Sequence, residues 1–138
     1  MPFDIPIPVP VVAGDIALVD DDPYVLRALQ RALVAYGYRV KAFSSAEQFL
    51  AESDAREIWC AVIDIELGGG RSGLDLGDDI CRSLHATPVV FMTGSDDPAL
   101  RRRAMDIGCV EFLEKPFLTS RLVAAIMKLE AADSRTGQ

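Results

Sequence analysis

Acidic, hydroxyl and basic side chains stand at or within two residues of the ends of four short apolar runs of this sequence. Asp20 and Asp21 follow one run, and Asp64 ends another. Thr93 follows a third run and Lys115 a fourth. Carboxylates are the ligands that hard cations such as Mg²⁺ prefer, and a hydroxyl or an ammonium group can bind an anion. The chemistry open to this set depends on whether the fold brings its members together.

The apolar runs alternate with amphipathic stretches, and this alternation predicts an α/β fold with a parallel sheet. Strands that are apolar on both faces are typical of a sheet covered by helices on both sides. In such a fold the site lies beyond the carboxyl ends of the strands, so the five side chains converge. We predict the five strands at residues 16–19, 38–43, 58–63, 89–92 and 110–113.

Capping residues predict where the helices between these strands begin. Asp22 precedes a proline and is expected to cap the first helix, while Ser44 with Glu47 forms a capping-box pattern for the second. Asp97 precedes another proline at the start of the fourth helix, which Gly108 is expected to end. The third and fifth helices are predicted over residues 74–84 and 118–129.

Three carboxylates at one sheet edge pose an electrostatic problem. Unpaired, Asp20, Asp21 and Asp64 would repel one another, and the pKa of at least one would rise. A divalent cation and the ammonium group of Lys115 both relieve this repulsion. A transferring phosphoryl group fits among a cation, an ammonium group, the Thr93 hydroxyl and a carboxylate nucleophile. Attack by Asp64 would form an acyl phosphate.

The composition of the chain limits the classes of protein to which it can belong. The chain has 138 residues, 21 acidic against 14 basic, and a formal charge of -7. This acidity argues against nucleic acid or an anionic membrane as the main partner. We expect one domain at residues 15–131, between a proline-rich arm at 1–14 and a flexible tail at 132–138. Without a long apolar segment or a basic leader, the chain is predicted to be cytoplasmic.

The numbers and spacing of the cysteines and the histidine do not indicate a metal site or a catalytic nucleophile. Cys60, Cys81 and Cys109 form no CxxC pair, and we interpret them as reduced thiols in or near the core. His85 is the only histidine, so a structural zinc site or a catalytic triad is not favoured.

Four sequence blocks, in order and spacing, resemble the motifs of bacterial response-regulator receiver domains. The resemblance covers about residues 16–131 and is greatest for receivers of the nitrogen-fixation regulator type. It implies a doubly wound (βα)5 sandwich of three layers, CheY-like or flavodoxin-like, with a five-stranded parallel sheet of order 2-1-3-4-5. The blocks are IALVDDDPYVLRAL, AVIDIEL, PVVFMTGS and VEFLEKPF.

The resemblance implies a phosphoacceptor with a metal ion. In the family a sensor histidine kinase or a histidine phosphotransfer protein phosphorylates the aspartate that ends the third strand, here Asp64. The family's acidic pair corresponds to Asp21, a direct ligand of Mg²⁺ (or Mn²⁺), and Asp20, which binds it mostly through water. The backbone carbonyl of Glu66 is implied as a further ligand. Such a domain is not an enzyme, although it assists its own phosphorylation and dephosphorylation.

The resemblance also implies a switch. Thr93 and Lys115 correspond to the residues that contact the phosphoryl group, and Phe112 to the aromatic residue that moves with the threonine. The bond before Pro116 is often cis in the family. Phosphorylation is then expected to change the face formed by the fourth helix, fifth strand and fifth helix, where a downstream output protein or a second copy of the chain binds.

Two features of the sequence depart from the usual pattern of the family. The loop GGGRSG after the third strand is about one residue longer than usual and lacks the usual proline, and Glu66 is bulkier and more acidic than many residues at its position. We also expect no DNA-binding domain, so that a partner supplies the output.

Three alternative interpretations of the sequence remain open. They are a receiver piece of a larger regulator or hybrid kinase, an aspartyl-phosphate phosphatase, and a flavodoxin-like electron carrier.

Overall fold

Five parallel strands form a single sheet in this computed structural model, which describes residues 14–83 and 87–136. The strand order is β2-β1-β3-β4-β5, as the resemblance implies. The proline-rich arm, apart from Gly14, and His85 lie outside the described residues. The strands are β1 (Asp15–Val19), β2 (Val40–Phe43), β3 (Ile58–Asp64), β4 (Val89–Thr93) and β5 (Glu111–Glu114).

Helices cover both faces of the sheet, because successive side chains of each strand point to opposite faces. Ala17 of β1 packs into one apolar cluster and its neighbour Leu18 into the other. The helices are α1 (Pro23–Ala35), α2 (Ala46–Glu52), α3 (Gly73–Cys81), α4 (Pro98–Ile107) and α5 (Thr119–Thr136), with a 3₁₀ turn at Ala55–Glu57. Helices α2, α3 and α4 contribute to the first cluster, and α1 and α5 to the second.

Most predicted helix boundaries are confirmed, with three differences, the first being that α3 ends at Cys81 and not at residue 84. Asp22 caps α1, and Gly108 ends α4 in the left-handed conformation at φ 96°. The cap of α2 is Ser45 rather than Ser44, because the Ser45 hydroxyl accepts the Gln48 N–H at 3.0 Å. Helix α5 continues to Thr136, so residues 132–136, which we expected in the tail, are helical.

The cysteines are free thiols, as the sequence predicts. Cys60 is buried in β3, and burial raises the pKa of its thiol to about 12. Cys81 and Cys109 are half-buried against the core, and burial raises their pKa values as well. These thiols therefore stay protonated at neutral pH and lack the reactivity of a thiolate. Within residues 14–83 and 87–136, no helix is long and apolar enough to cross a membrane.

The contact between α3 and β4 depends on a residue without a side chain. Gly77 faces the ring of Phe91, which is fully buried, and a Cβ atom at position 77 would overlap the ring. A glycine costs a helix some stability, but here it lets α3 lie close to the sheet. This contact holds the middle of α3 against β4.

We expect Gly77→Ala to destabilise the protein. Overpacking a core costs about 1–3 kcal/mol, which exceeds the roughly 0.5–1 kcal/mol that alanine gains over glycine in a helix. Urea unfolding gives the free-energy change. In a Phe91→Leu background, where the ring is absent, the same substitution should cost less. An equal cost in both backgrounds would show that the ring is not the obstacle.

Candidate functional site

The carboxyl ends of β1 and β3 place two buried carboxylates side by side. Asp20 directly follows β1 and is fully buried, while Asp64 is the last residue of β3 and is 4% exposed. The two strands are neighbours in the sheet. Asp21 is exposed beside them, and carboxylate oxygens of all three residues lie within 4.8 Å of one another. The predicted convergence of these acids is therefore present in the structure.

Lys115 joins this cluster from the far edge of the sheet. Its ammonium group donates to Asp20 Oδ2 at 2.8 Å and to Asp64 Oδ2 at 3.0 Å. The backbone amide of Lys115 donates to the Thr93 carbonyl at 2.7 Å, which fixes the residue just beyond β5. The Lys115–Pro116 peptide bond is cis.

Burial and hydrogen bonding act against each other in this cluster. Burial raises the pKa of the Asp20 carboxyl, and the hydrogen bonds from Lys115 and from the Asp22 amide offset this only in part. Repulsion by Asp64, the cause expected from the sequence, is a smaller contribution. Burial would lower the pKa of Lys115, but its bonds to the two carboxylates outweigh burial and raise it. Lys115 is therefore a cation at neutral pH.

Backbone amides hold the other carboxylate oxygens. The Asp22 N–H donates to Asp20 Oδ1 at 2.9 Å, and the Glu66 N–H donates to Asp64 Oδ1 at 2.9 Å. The Gly68 N–H donates to Asp21 Oδ2 at 3.0 Å. The sequence-based interpretation did not give Gly68 a role, although the run of glycines after β3 marked the loop.

Gly73 is a second residue that the sequence-based interpretation left without a role. A Cβ atom at this position would overlap the backbone carbonyl of Asp64, and the Gly73 amide donates to the Ile65 carbonyl at 3.2 Å. The first residue of α3 therefore packs directly on the backbone that carries the buried carboxylate. A glycine is the only residue that permits this approach without a shift of backbone atoms.

The side chain of Glu66 does not join the acidic cluster. Its Oε2 accepts the Thr93 hydroxyl at 2.6 Å, and its Oε1 accepts the Gly94 N–H at 2.8 Å. Thr93 ends β4 and is fully buried. The Thr93 hydroxyl thus donates to an anionic oxygen, as its residue type predicts, but the anion is a side chain of this chain.

Phe112 lies in the core next to the site. It is 6% exposed and is in register with Phe91 of β4. The Arg101 guanidinium of α4 lies 5.3 Å from the centre of its ring, a cation–π distance. Arg101 also lies 3.8 Å from the carboxylate of Glu114. The outer face of β5 and α4 is therefore connected to the aromatic residue predicted to move.

The donor set fits a hard divalent cation. Asp20, Asp21 and Asp64 offer only oxygen atoms, which suit Mg²⁺ or Mn²⁺ better than softer metals. Three carboxylates exceed the single positive charge of Lys115 by two, so a divalent cation would balance the cluster. The exposed side of Asp21 leaves access for water ligands.

The receiver domain resemblance is confirmed by comparison with known proteins. The family model for the response regulator receiver domain matches residues 16–127 of this chain. The transcriptional regulatory protein FixJ of Bradyrhizobium diazoefficiens is 34% identical over 113 residues, which cover 82% of this chain and 55% of FixJ. Nodulation protein W of the same organism is 34% identical over 118 residues, 86% of this chain and 52% of that protein. The chain thus spans about half the length of these relatives.

A solved structure gives the same result for the fold. The BeF3-activated receiver domain of DrrB, a Thermotoga maritima protein, superposes with a TM-score of 0.76. It is 28% identical, and the match covers 85% of this chain and 97% of that one.

Removing the ammonium group should destabilise the fold. Breaking a buried ion pair costs about 3–5 kcal/mol, and because this pocket borders solvent we expect about 2–3 kcal/mol for Lys115→Met. Mg²⁺ should restore more stability to this variant than to the wild type, since the carboxylates then bind the ion without competition. Urea unfolding with and without Mg²⁺ measures both effects.

Lys128→Met is the matched control, because Lys128 is exposed on α5. It should leave the free energy of unfolding and the response to Mg²⁺ close to those of the wild type. Equal effects of the two substitutions would contradict the assignment of Lys115 to the acidic cluster.

Proposed function

Because this chain belongs to the response regulator receiver domain family, we propose that Asp64 accepts a phosphoryl group from a sensor histidine kinase or a histidine phosphotransfer protein. The observation that carries the proposal is the ammonium group of Lys115 bridging the buried carboxylates of Asp20 and Asp64. Such a group is placed to neutralise an incoming anion at Asp64.

The transfer itself is a displacement at phosphorus. An oxygen of the Asp64 carboxylate forms a bond to phosphorus, while the bond from phosphorus to the donor's imidazole nitrogen breaks. The electron pair remains on that nitrogen, which can take up a proton from solvent. Lys115 stabilises the charge that develops on the phosphoryl oxygens, and Oδ1 of Asp64 stays held by the Glu66 amide.

A divalent cation belongs to this proposal. Asp20, Asp21 and Asp64 would hold Mg²⁺ or Mn²⁺ through their carboxylates, and the backbone carbonyl of Glu66 is proposed as a further ligand. When bound, the ion supplies the positive charge that lets phosphoryl oxygens approach three carboxylates. The protein's own part is to hold these oxygens in place, through the buried ends of β1 and β3.

The output is proposed to lie at the face of α4, β5 and α5. Thr93 would turn toward the phosphoryl oxygens, and Phe112 would move into the space beside it. Because Arg101 contacts both the Phe112 ring and Glu114, that movement would change the charges presented on the outer face. Such a change would bias the equilibrium between two conformations, one of which binds an output partner or a second copy of the chain in the cytoplasm.

The experiment that tests this function is labelling with acetyl phosphate and Mg²⁺. We expect the wild type to take up one phosphoryl group, and Asp64→Asn to take up none, because an amide nitrogen is not a nucleophile at this site. Intact mass spectrometry over time measures the uptake.

Asp75→Asn is the matched control, since Asp75 is an exposed acid on α3. It should be labelled at the rate of the wild type. Undiminished labelling of Asp64→Asn would show that another residue is the acceptor and would overturn the proposal.

A further inference from the structure

The donors at the end of β4 are already occupied by a carboxylate. The Thr93 hydroxyl and the Gly94 amide point to the two oxygens of Glu66, at 2.6 Å and 2.8 Å. A hydroxyl and a backbone N–H that converge on one space form a small anion-binding position. In the proposed function, the Thr93 hydroxyl at this same position donates a hydrogen bond to a phosphoryl oxygen.

We propose that the Glu66 carboxylate is an internal competitor that occupies the anion position formed by Thr93 and Gly94 and must leave before phosphoryl oxygens bind there. The inference rests on the proposed function, because it assigns a regulation to the same site. Two anions cannot share these two donors at hydrogen-bond distance, since their charges repel. Glu66 therefore holds the unphosphorylated site in a closed form.

The geometry allows release without a change in the loop. The backbone of Glu66 is fixed by its N–H bond to Asp64 Oδ1 at 2.9 Å, so only the side chain needs to rotate. Glu66 is exposed, and its carboxylate can move into water. Side-chain rotation of exposed residues is fast. The competition therefore lowers the affinity of the site for an anion and does not slow the entry of the anion.

The Thr93 hydroxyl connects this competition to the proposed switch. It accepts the Ser95 amide at 3.0 Å while donating to Glu66, and both bonds hold Thr93 in its present orientation. In this form Thr93 cannot donate to a group bound at Asp64. Loss of the Glu66 contact frees the hydroxyl hydrogen for the phosphoryl oxygen.

The size of the effect follows from the fraction of molecules in the open form. If the carboxylate occupies the position nine-tenths of the time, the apparent dissociation constant of an anion is about tenfold larger than in its absence. Removing the carboxylate should then tighten binding by about tenfold. A substitution that keeps the charge but shortens the side chain should have a similar effect, because Asp at this position cannot reach both donors.

The experiment measures beryllofluoride binding in the presence of Mg²⁺, with the Gly94 amide resonance as the readout. The variants are Glu66→Ala and Glu66→Asp, and the control is Asp75→Asn, which removes an exposed charge outside the site. Urea unfolding checks that each variant is folded. We expect both Glu66 variants to bind the anion about tenfold more tightly than the wild type, and the control to bind as the wild type does.

Two results would overturn the inference while leaving the proposed function intact. Wild-type affinity in both Glu66 variants would mean that the carboxylate does not compete. Tighter binding in Glu66→Ala with wild-type affinity in Glu66→Asp would mean that charge alone, not occupation of the donors, sets the affinity. Failure of the wild type and of every variant to bind beryllofluoride would instead overturn the proposed function, and the inference with it.

Discussion

The contact of one ammonium group with two buried carboxylates is the interaction on which the site depends. Asp20 and Asp64 end neighbouring strands, and burying their charges is costly unless an opposite charge is close. Lys115 provides that charge from beyond the end of β5, two strands away from β3. The sheet order is therefore a requirement of the site, since it brings residues 95 positions apart into contact.

The same arrangement leaves the pocket short of positive charge. The cluster has three carboxylates and one ammonium group, which contacts two of them, so a divalent cation would balance its charge. The donors of β4 extend this pocket on its other side, where Glu66 holds the place of an anion. Under the proposed function, a phosphoryl group on Asp64 would replace some of these contacts, and in this way a covalent change at Asp64 would alter distant surfaces.

Much of this architecture could be predicted from the sequence because it depends on short-range signals. Apolar runs located the strands, and the side chains of Asp22 and Asp97 marked helix starts. The prediction was wrong where two such signals compete: both Ser44 and Ser45 precede α2, and the hydrogen bond to the Gln48 amide decides for Ser45. Helix α5 extends past its apolar pattern, since polar residues continue a helix once it is packed.

The finer contacts of the site could not be predicted, because they depend on distances between elements. The loop glycines were visible, but the overlap that makes Gly73 necessary exists only once α3 packs on the Asp64 carbonyl. Likewise, the acidity of Glu66 was noted, yet the direction of its side chain toward Thr93 is set by the spacing of β3 and β4. Residue types predicted the chemistry, and packing determined which groups contact each other.

The central claim is that Asp64 is the acceptor, and identification of the labelled atom tests it most directly. Borohydride reduces an acyl phosphate to an alcohol, so a phosphorylated aspartate becomes homoserine. After labelling with acetyl phosphate and Mg²⁺, reduction and peptide mass spectrometry, we predict homoserine at position 64 alone. Homoserine at position 20 or 21, or uptake of phosphate without any homoserine, would contradict the account.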